Sequence, residues 1–218
     1  MNLIELKNVT FAYEAVEKPV FKEFNLEIPQ GGCLVVEGDN GSGKSTLFRI
    51  LNGLSFPQKG SYIFDGQEIT EKYLHNNRNA KVFHKQIGYL FQNPDIMLFN
   101  ANVYDEIAFG PRQMGMTDEE ADTRTKDCMK LFQLEELADK APYHLSGGQK
   151  KRVALAAVMA LNPEVLILDE PYAGLDRKMQ AWLTEFLKDM KKAGKTLIIA
   201  THNGMVAEML GDQVLELS

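Results

Sequence analysis

Apolar and polar residues alternate along Leu3 to Phe11 and again along Phe24-Asn25-Leu26-Glu27-Ile28, the pattern of strands with one buried face. Pro29-Gln30-Gly31-Gly32 closes the second with turn residues, and both are expected to be antiparallel strands. The pattern changes at Cys33-Leu34-Val35-Val36, an unbroken, β-branched run with the length of a buried parallel strand. Similar runs recur at Val165-Leu166-Ile167-Leu168 and at Thr196-Leu197-Ile198-Ile199-Ala200, while Gly60 to Gly66 reads as a strand ending in an Asp-Gly turn. Ile87-Gly88-Tyr89-Leu90-Phe91 and Gln213 to Leu217 complete the expected strands.

Helical spacing begins at Thr46-Leu47-Phe48-Arg49-Ile50-Leu51 and dominates from about Val103 to Ala160. Val103 to Phe109 is expected to stop at Gly110-Pro111, and Thr117-Asp118-Glu119-Glu120 is a capping box opening a helix to about Phe132. Ala121, Thr125, Cys128, Met129 and Phe132 share one face of that helix and read as core. Further helices are expected over Lys150 to Ala160, over Lys178 to Lys192 with Gly194 as its stop, and over Met205 to Leu210. Thr70 to Lys85 is polar and weakly periodic, a short surface helix or a loop.

Composition narrows the class without naming it. A chain of 218 residues suffices for one domain with an inserted lobe. No run of about 18 apolar residues occurs, and the start lacks the basic region and apolar core of a secretory signal, so a cytoplasmic location is expected. Cys33 and Cys128, without CxxC spacing, are expected to be reduced core thiols. The net charge of −6 argues against non-specific nucleic-acid binding. No internal repeat is visible, and the chain is expected to end where its fold ends.

The chemistry centres on Gly38-Asp39-Asn40-Gly41-Ser42-Gly43-Lys44-Ser45, which lies between a strand and a helix. In that context the spacing reads as a P-loop: glycines let successive N–H groups face phosphate oxygens, Lys44 reaches the β- and γ-phosphates, and the Ser45 hydroxyl ligates Mg²⁺. Leu145-Ser146-Gly147-Gly148-Gln149 leads straight into a helix and is a second start of the type that binds anions. The strand 165–168 runs into Asp169-Glu170, paired carboxylates that are costly beside a core unless used. Asp169 suits Mg²⁺ held through water, and Glu170, on the opposite face of the pleat or past its end, suits a general base. Three residues carry two readings each. Tyr13 either stacks on an adenine ring or packs on its sheet, Gln92 is either a ligand for water or Mg²⁺ or a polar strand end, and His202 either faces the phosphates or is structural.

These motifs in this order resemble the ATP-binding subunit of ABC transporters over essentially the whole chain. The resemblance implies an α/β P-loop NTPase (RecA-like) core with an N-terminal antiparallel β-subdomain and an inserted α-helical subdomain. It makes 1–218 a single ATP-binding domain, in which 1–92 and 161–218 form the β-subdomain and core and 93–160 the helical signature subdomain. On the family pattern Tyr13 is the adenine-stacking aromatic, and Gly38 to Ser45 form the Walker A loop, with Asn40, Gly41, Ser42, Gly43, Lys44, Ser45 and Thr46 binding ATP. Gln92 is the Q-loop residue, and Ser146, Gly147, Gly148 and Gln149 are signature residues for the partner chain's ATP. Asp169 is the Walker B aspartate, Glu170 the catalytic glutamate, Asp176 the D-loop aspartate and His202 the switch histidine. Mg²⁺ is implied at Ser45, Gln92 and, through water, Asp169.

A finer resemblance is to the ATPases of energy-coupling-factor importers and the related cobalt and nickel systems, carried by Phe91 to Asp95, Leu98-Phe99, Glu106 to Pro111 and the SGGQKKRV run. Ile96-Met97, Tyr172 and Arg177 depart from that group's usual residues. The resemblance implies ATP-driven import of a transition-metal ion or a vitamin, at the cytoplasmic face of the membrane as a peripheral subunit. The implied partners are a second ATP-binding subunit, identical or paralogous, a transmembrane coupling subunit and a substrate-binding membrane subunit, with no nucleic acid. Another ABC transporter, an exporter included, is the alternative. A soluble ABC ATPase acting on DNA or ribosomes lacks its usual coiled-coil insertion or second cassette here, and Glu170 and His202 count against a module that only binds ATP.

Overall fold

The turn residues of the N-terminal half close an antiparallel sheet. In the computed structural model, which describes residues 1–14, 18–202 and 204–218, β1 (Asn2–Phe11) pairs with β2 (Phe21–Pro29) on one side. After β3 (Cys33–Gly38) and α1 (Lys44–Leu51), β4 (Lys59–Phe64) pairs antiparallel with the other side of β1 and turns into the short β5 (Gln67–Glu68). That turn is the expected Asp-Gly pair, with Asp65 and Gly66 at φ 47° and 75°, as a two-residue hairpin of matching twist requires. Ile4, Leu6, Val9, Tyr62 and Phe64 form the buried face.

Contacts divide the chain into Met1–His84 with Leu187–Ser218, and Lys85–Phe186. The first unit holds this antiparallel sheet and a parallel array in which β3 lies between β8 (Thr196–Ala200) and β9 (Gln213–Leu217). Polar Thr70 to Lys85 resolves into α2 (Glu71–Leu74), capped by Thr70, and α3 (Asn77–Gln86), whose buried Phe83 packs on Tyr62 and Phe64.

The second unit pairs β6 (Ile87–Leu90) parallel with β7 (Val165–Asp169) and adds α4 (Val103–Gln113), α5 (Asp118–Leu131) and α6 (Gly147–Met159). Two expectations change. α4 does not stop at Gly110-Pro111 but runs to Gln113, because Gly110 is helical and serves close packing: a Cβ there would lie 3.3 Å from Leu161. Met114 caps its C-terminus and Gly115, which holds φ 83°, turns the chain away. α6 starts at Gly147, three residues before Lys150, because Ser146 caps it. The capping box at Thr117 and Glu120 forms as expected. α7 (Arg177–Lys192) contains the boundary between the units, and α8 (Gly204–Leu210) precedes β9 in the first. Cys33 and Cys128 are free and buried, and burial pushes their thiols up to about 12 and about 11.

Candidate nucleotide site

Residues 38–45 join β3 to α1 within the first unit. Gly43, at φ 107°, is the residue from which α1 starts, and no side chain caps its first turn. Helix geometry leaves the first N–H groups of α1 without intrahelical acceptors, so they face whatever fills the loop. The Ser42 hydroxyl is buried with no hydrogen-bond partner. Lys44 is buried, and its ammonium donates to the carbonyl oxygens of Gly38 and Asp39. A buried ammonium held only on backbone carbonyls and an orphaned hydroxyl fit a polyanion in the cradle, so the residues present suit the phosphates of a nucleotide. Asn40, Gly41 and Ser45 are exposed around it.

Tyr13 reaches the same loop. Its hydroxyl lies 3.1 Å from Thr46 Oγ1, and its ring meets Phe11 edge-on at 5.0 Å. The ring is 39% exposed, so the contact with Phe11 leaves room on it for a stacking partner. His202 follows β8 in this unit and is exposed.

In the second unit β7 ends at the buried Asp169, and Glu170 lies past its end at φ 45°. That resolves the two placements open to it and puts a non-glycine residue in left-handed backbone, which its surroundings must hold. The chain then turns twice, with Ala173 N–H donating to Glu170 O and Leu175 N–H to Tyr172 O. Asp176 accepts from Met179 N–H at 2.8 Å and caps α7. Gln92 is exposed after β6, and Asn93 caps the following 3₁₀ turn through Asp95 N–H.

The signature start is held by a reciprocal cap. Ser146 Oγ accepts from Gln149 N–H at 3.3 Å, and Gln149 Oε1 accepts from Ser146 N–H at 2.9 Å. Both side chains are thus engaged at their own helix start, and the groups this box leaves for an anion are the Gly147 and Gly148 N–H and the Ser146 hydroxyl proton. The S-x-x-Q spacing was sufficient to find the box. Lys151 was not legible at all: it is buried, and its ammonium donates to Glu170 O at 2.9 Å and to Ala173 O at 2.8 Å. Burial pushes it below its ordinary value, with Glu170 and Asp169 pulling the other way.

After Gln92, Ile96 and Phe99 are each 66% exposed, and Phe99 meets the half-exposed Phe109 edge-on at 4.9 Å. Phe99 and Phe109 border a groove of about 240 Å³ whose lining also includes Tyr89 and Met97. The buried Glu106 carboxylate holds this loop by accepting from Phe99 and Asn100 N–H. Tyr104 stands apart from the groove, its hydroxyl donating to Asp122 at 2.7 Å.

A phosphate cradle between β3 and α1, a capped glycine helix start and a strand ending in one carboxylate with a second just past it agree with the comparison to known families. The model described as ABC transporter matches residues 21–173. The chain belongs to the ABC transporter family as an ATP-binding subunit, and it is an ATPase with the cassette fold of that family. A putative ABC transporter ATP-binding protein of Clostridium acetobutylicum is 48% identical, over 92% of this chain and 83% of that protein. The nickel import ATP-binding protein LarO of Lactiplantibacillus plantarum is 44% identical over 96% of this chain and 87% of its own length. Among solved structures, the dimeric post-hydrolysis state of the ATP-binding cassette MJ0796, bound to ADP and Pi, superposes with a TM-score of 0.88 at 31% identity, covering 99% of this chain and 94% of that one. CbiO1 of Clostridium perfringens, part of the ABC transporter complex cbiONQ, gives 0.86 at 35% identity, covering 100% and 85%.

Proposed function

We propose that this chain is the ATPase of an importer for a small solute, of the energy-coupling-factor and cobalt or nickel type, with a transition-metal ion as the first candidate cargo. The similarity to LarO and to CbiO1 supports that reading. Two ATP-binding subunits, identical or paralogous, close head to tail around two ATP molecules at the cytoplasmic face of the membrane. Residues 93–160 act as the signature subdomain, and the remainder carries the core and β-subdomain. The groove beside Phe99 and Phe109 receives the transmembrane coupling subunit, to which a substrate-binding membrane subunit delivers the solute. Among the described residues no helix is long and apolar enough to cross a membrane.

The observation that carries the catalytic reading is the P-loop with its orphaned Ser42 hydroxyl and buried Lys44. In this reading Tyr13 stacks on the adenine, and the N–H groups of Asn40 to Thr46 hold the phosphates. Lys44 neutralises charge building on the γ-phosphate. Ser146, Gly147, Gly148 and Gln149 serve the partner's ATP, the glycines through their N–H groups and Gln149 by holding Ser146 in place. Glu170 accepts a proton from the attacking water, and His202 and Gln92 orient that water and the γ-phosphate. The hydroxyl of Ser45, the amide of Gln92 and, through water, the carboxylate of Asp169 are hard oxygen donors of the kind Mg²⁺ prefers. Held by these residues, Mg²⁺ would supply neutralisation of phosphate charge.

Glu170→Gln keeps the shape and cannot accept the proton, so turnover should fall by about two to four orders of magnitude while ATP binding persists. The variant should accumulate an ATP-dependent dimer by light scattering, and near wild-type turnover would remove Glu170 from this role. For the cargo, cells lacking the chain should lose nickel or cobalt accumulation measured by elemental analysis, and unchanged accumulation of both would contradict the metal reading.

A further inference from the structure

Lys151 is the buried cation that the catalytic reading leaves without a role. It lies in the second turn of α6, the helix whose start offers the Gly147 and Gly148 N–H groups. Its ammonium donates to Glu170 O and Ala173 O, at 2.9 and 2.8 Å. These carbonyls bracket the first turn after β7, and Glu170 O is shared with Ala173 N–H. Leu175, in the second of these turns, approaches the start of α6, where a Cβ on Gly148 would lie 3.7 Å from Leu175 Cδ2. From α7, Gln180 Nε2 donates to Leu175 O at 3.1 Å. Glu170 itself sits at φ 45°, a backbone conformation that is unfavourable for a non-glycine residue and persists only where neighbouring contacts fix it.

We propose that Lys151 is a positioning residue for hydrolysis: it ties the backbone of Glu170 and the turn behind it to α6, so that a phosphate seated on the start of that helix sets where the Glu170 carboxylate stands. The inference rests on the reading of Glu170 as general base and of α6 as the helix that meets a partner's nucleotide. A lysine suits the role because a compact ammonium on a flexible stem reaches two carbonyls from inside a packed helix face. Two charge-assisted bonds to one turn also carry a helix displacement as a displacement of that turn. The Lys150 side chain, its neighbour in sequence, does something else and pairs with Asp95 at 2.6 Å.

The test compares Lys151→Met, of similar length without donors, and Lys151→Arg, which keeps the charge and two or more donors, with wild type. Lys151→Met should lower kcat at least about tenfold while the KM for ATP stays within about twofold, and Lys151→Arg should recover a substantial part of kcat. In a Glu170→Gln background, Lys151→Met should still form the ATP-dependent dimer, because the groups that touch nucleotide are intact. Unchanged kcat overturns the proposal. So does a fall in kcat that comes with an equal loss of thermal stability, with loss of the dimer, or without recovery in Lys151→Arg, since each marks a general packing role. Glu170→Gln alone, run in parallel, separates this from the underlying reading. If that single variant stays active, the reading of Glu170 falls and takes the inference with it; if it is inactive and dimeric, the Lys151→Met turnover alone decides.

Discussion

Gly38 has the least room in the phosphate loop. At φ 147° a Cβ would lie 2.3 Å from Leu217 O and 2.6 Å from Ser42 Oγ. Gly147 has nothing within 4 Å of its Cβ position. Gly38→Ala should therefore cost about 2–4 kcal/mol in denaturant unfolding, and Gly147→Ala should stay within about 0.5 kcal/mol of wild type. A second residue prediction concerns Asp212, which accepts from Cys33 N–H at 2.9 Å and from Lys191 at 2.7 Å. Burial pushes its carboxyl up, but the bonds from Lys191 and the Cys33 N–H outweigh that and hold it below 3.8. A depressed folded value means the stabilisation is present above the unfolded value and is lost as pH falls through the folded one. Asp212→Asn should be less stable than wild type at pH near 7 by about 0.5–1 kcal/mol, a modest figure because the pair is partly solvated, and the gap should close below about pH 4. A gap that persists at low pH would mean that shape, not charge, matters there. At this scale the sequence was readable wherever spacing itself constrains chemistry, as in residues 38–45 or Asp169-Glu170. Lys151 lay in a Lys-Lys-Arg run, which reads as a solvated face, and its burial depends on a turn some twenty residues downstream.

Helix starts show how one local signal can serve stability alone or stability and function together. Thr117 with Glu120 and Ser146 with Gln149 form the same reciprocal box. Removing either cap should cost about 1 kcal/mol of stability. Ser146→Ala should in addition lower turnover several-fold beyond Thr117→Ala, because only the second box stands beside the N–H groups proposed to meet a phosphate. Equal turnover in the two variants would contradict that assignment. Strands were legible through their alternation and their turns, with β1, β4 and the buried β3, β7 and β8 where period and turn chemistry put them, while β2 begins at Phe21, ahead of the expected Phe24. The end of α4 was not, since Gly110-Pro111 reads as a stop until Leu161 is seen packed against the glycine. The stretch 70–85 was ambiguous for a physical reason: α2 is a single short turn, and α3 is anchored by one buried aromatic, Phe83, too little for a period to show.

For the whole molecule, the P-loop lies in the first unit and the signature helix in the second, and the account has them serve different nucleotides in a closed pair of chains. Such a division of labour would leave no mark on one chain's periodicity, and the sequence points to it through the family resemblance. Gly148→Asp isolates it. An added Cβ makes only ordinary contact, with Leu175 Cδ2 the nearest atom at 3.7 Å, and the aspartate places a negative charge at the helix start where a phosphate is proposed to approach. The decisive measurement is made in the Glu170→Gln background, with nucleotide affinity taken on dilute monomer and ATP-dependent dimer followed by light scattering. ATP affinity should stay within a few-fold of the parent, roughly under 1 kcal/mol, while the dimer is lost. Collapse of monomer affinity with any residual dimer unchanged would contradict that division of labour, because the signature would then be contacting the nucleotide of its own chain.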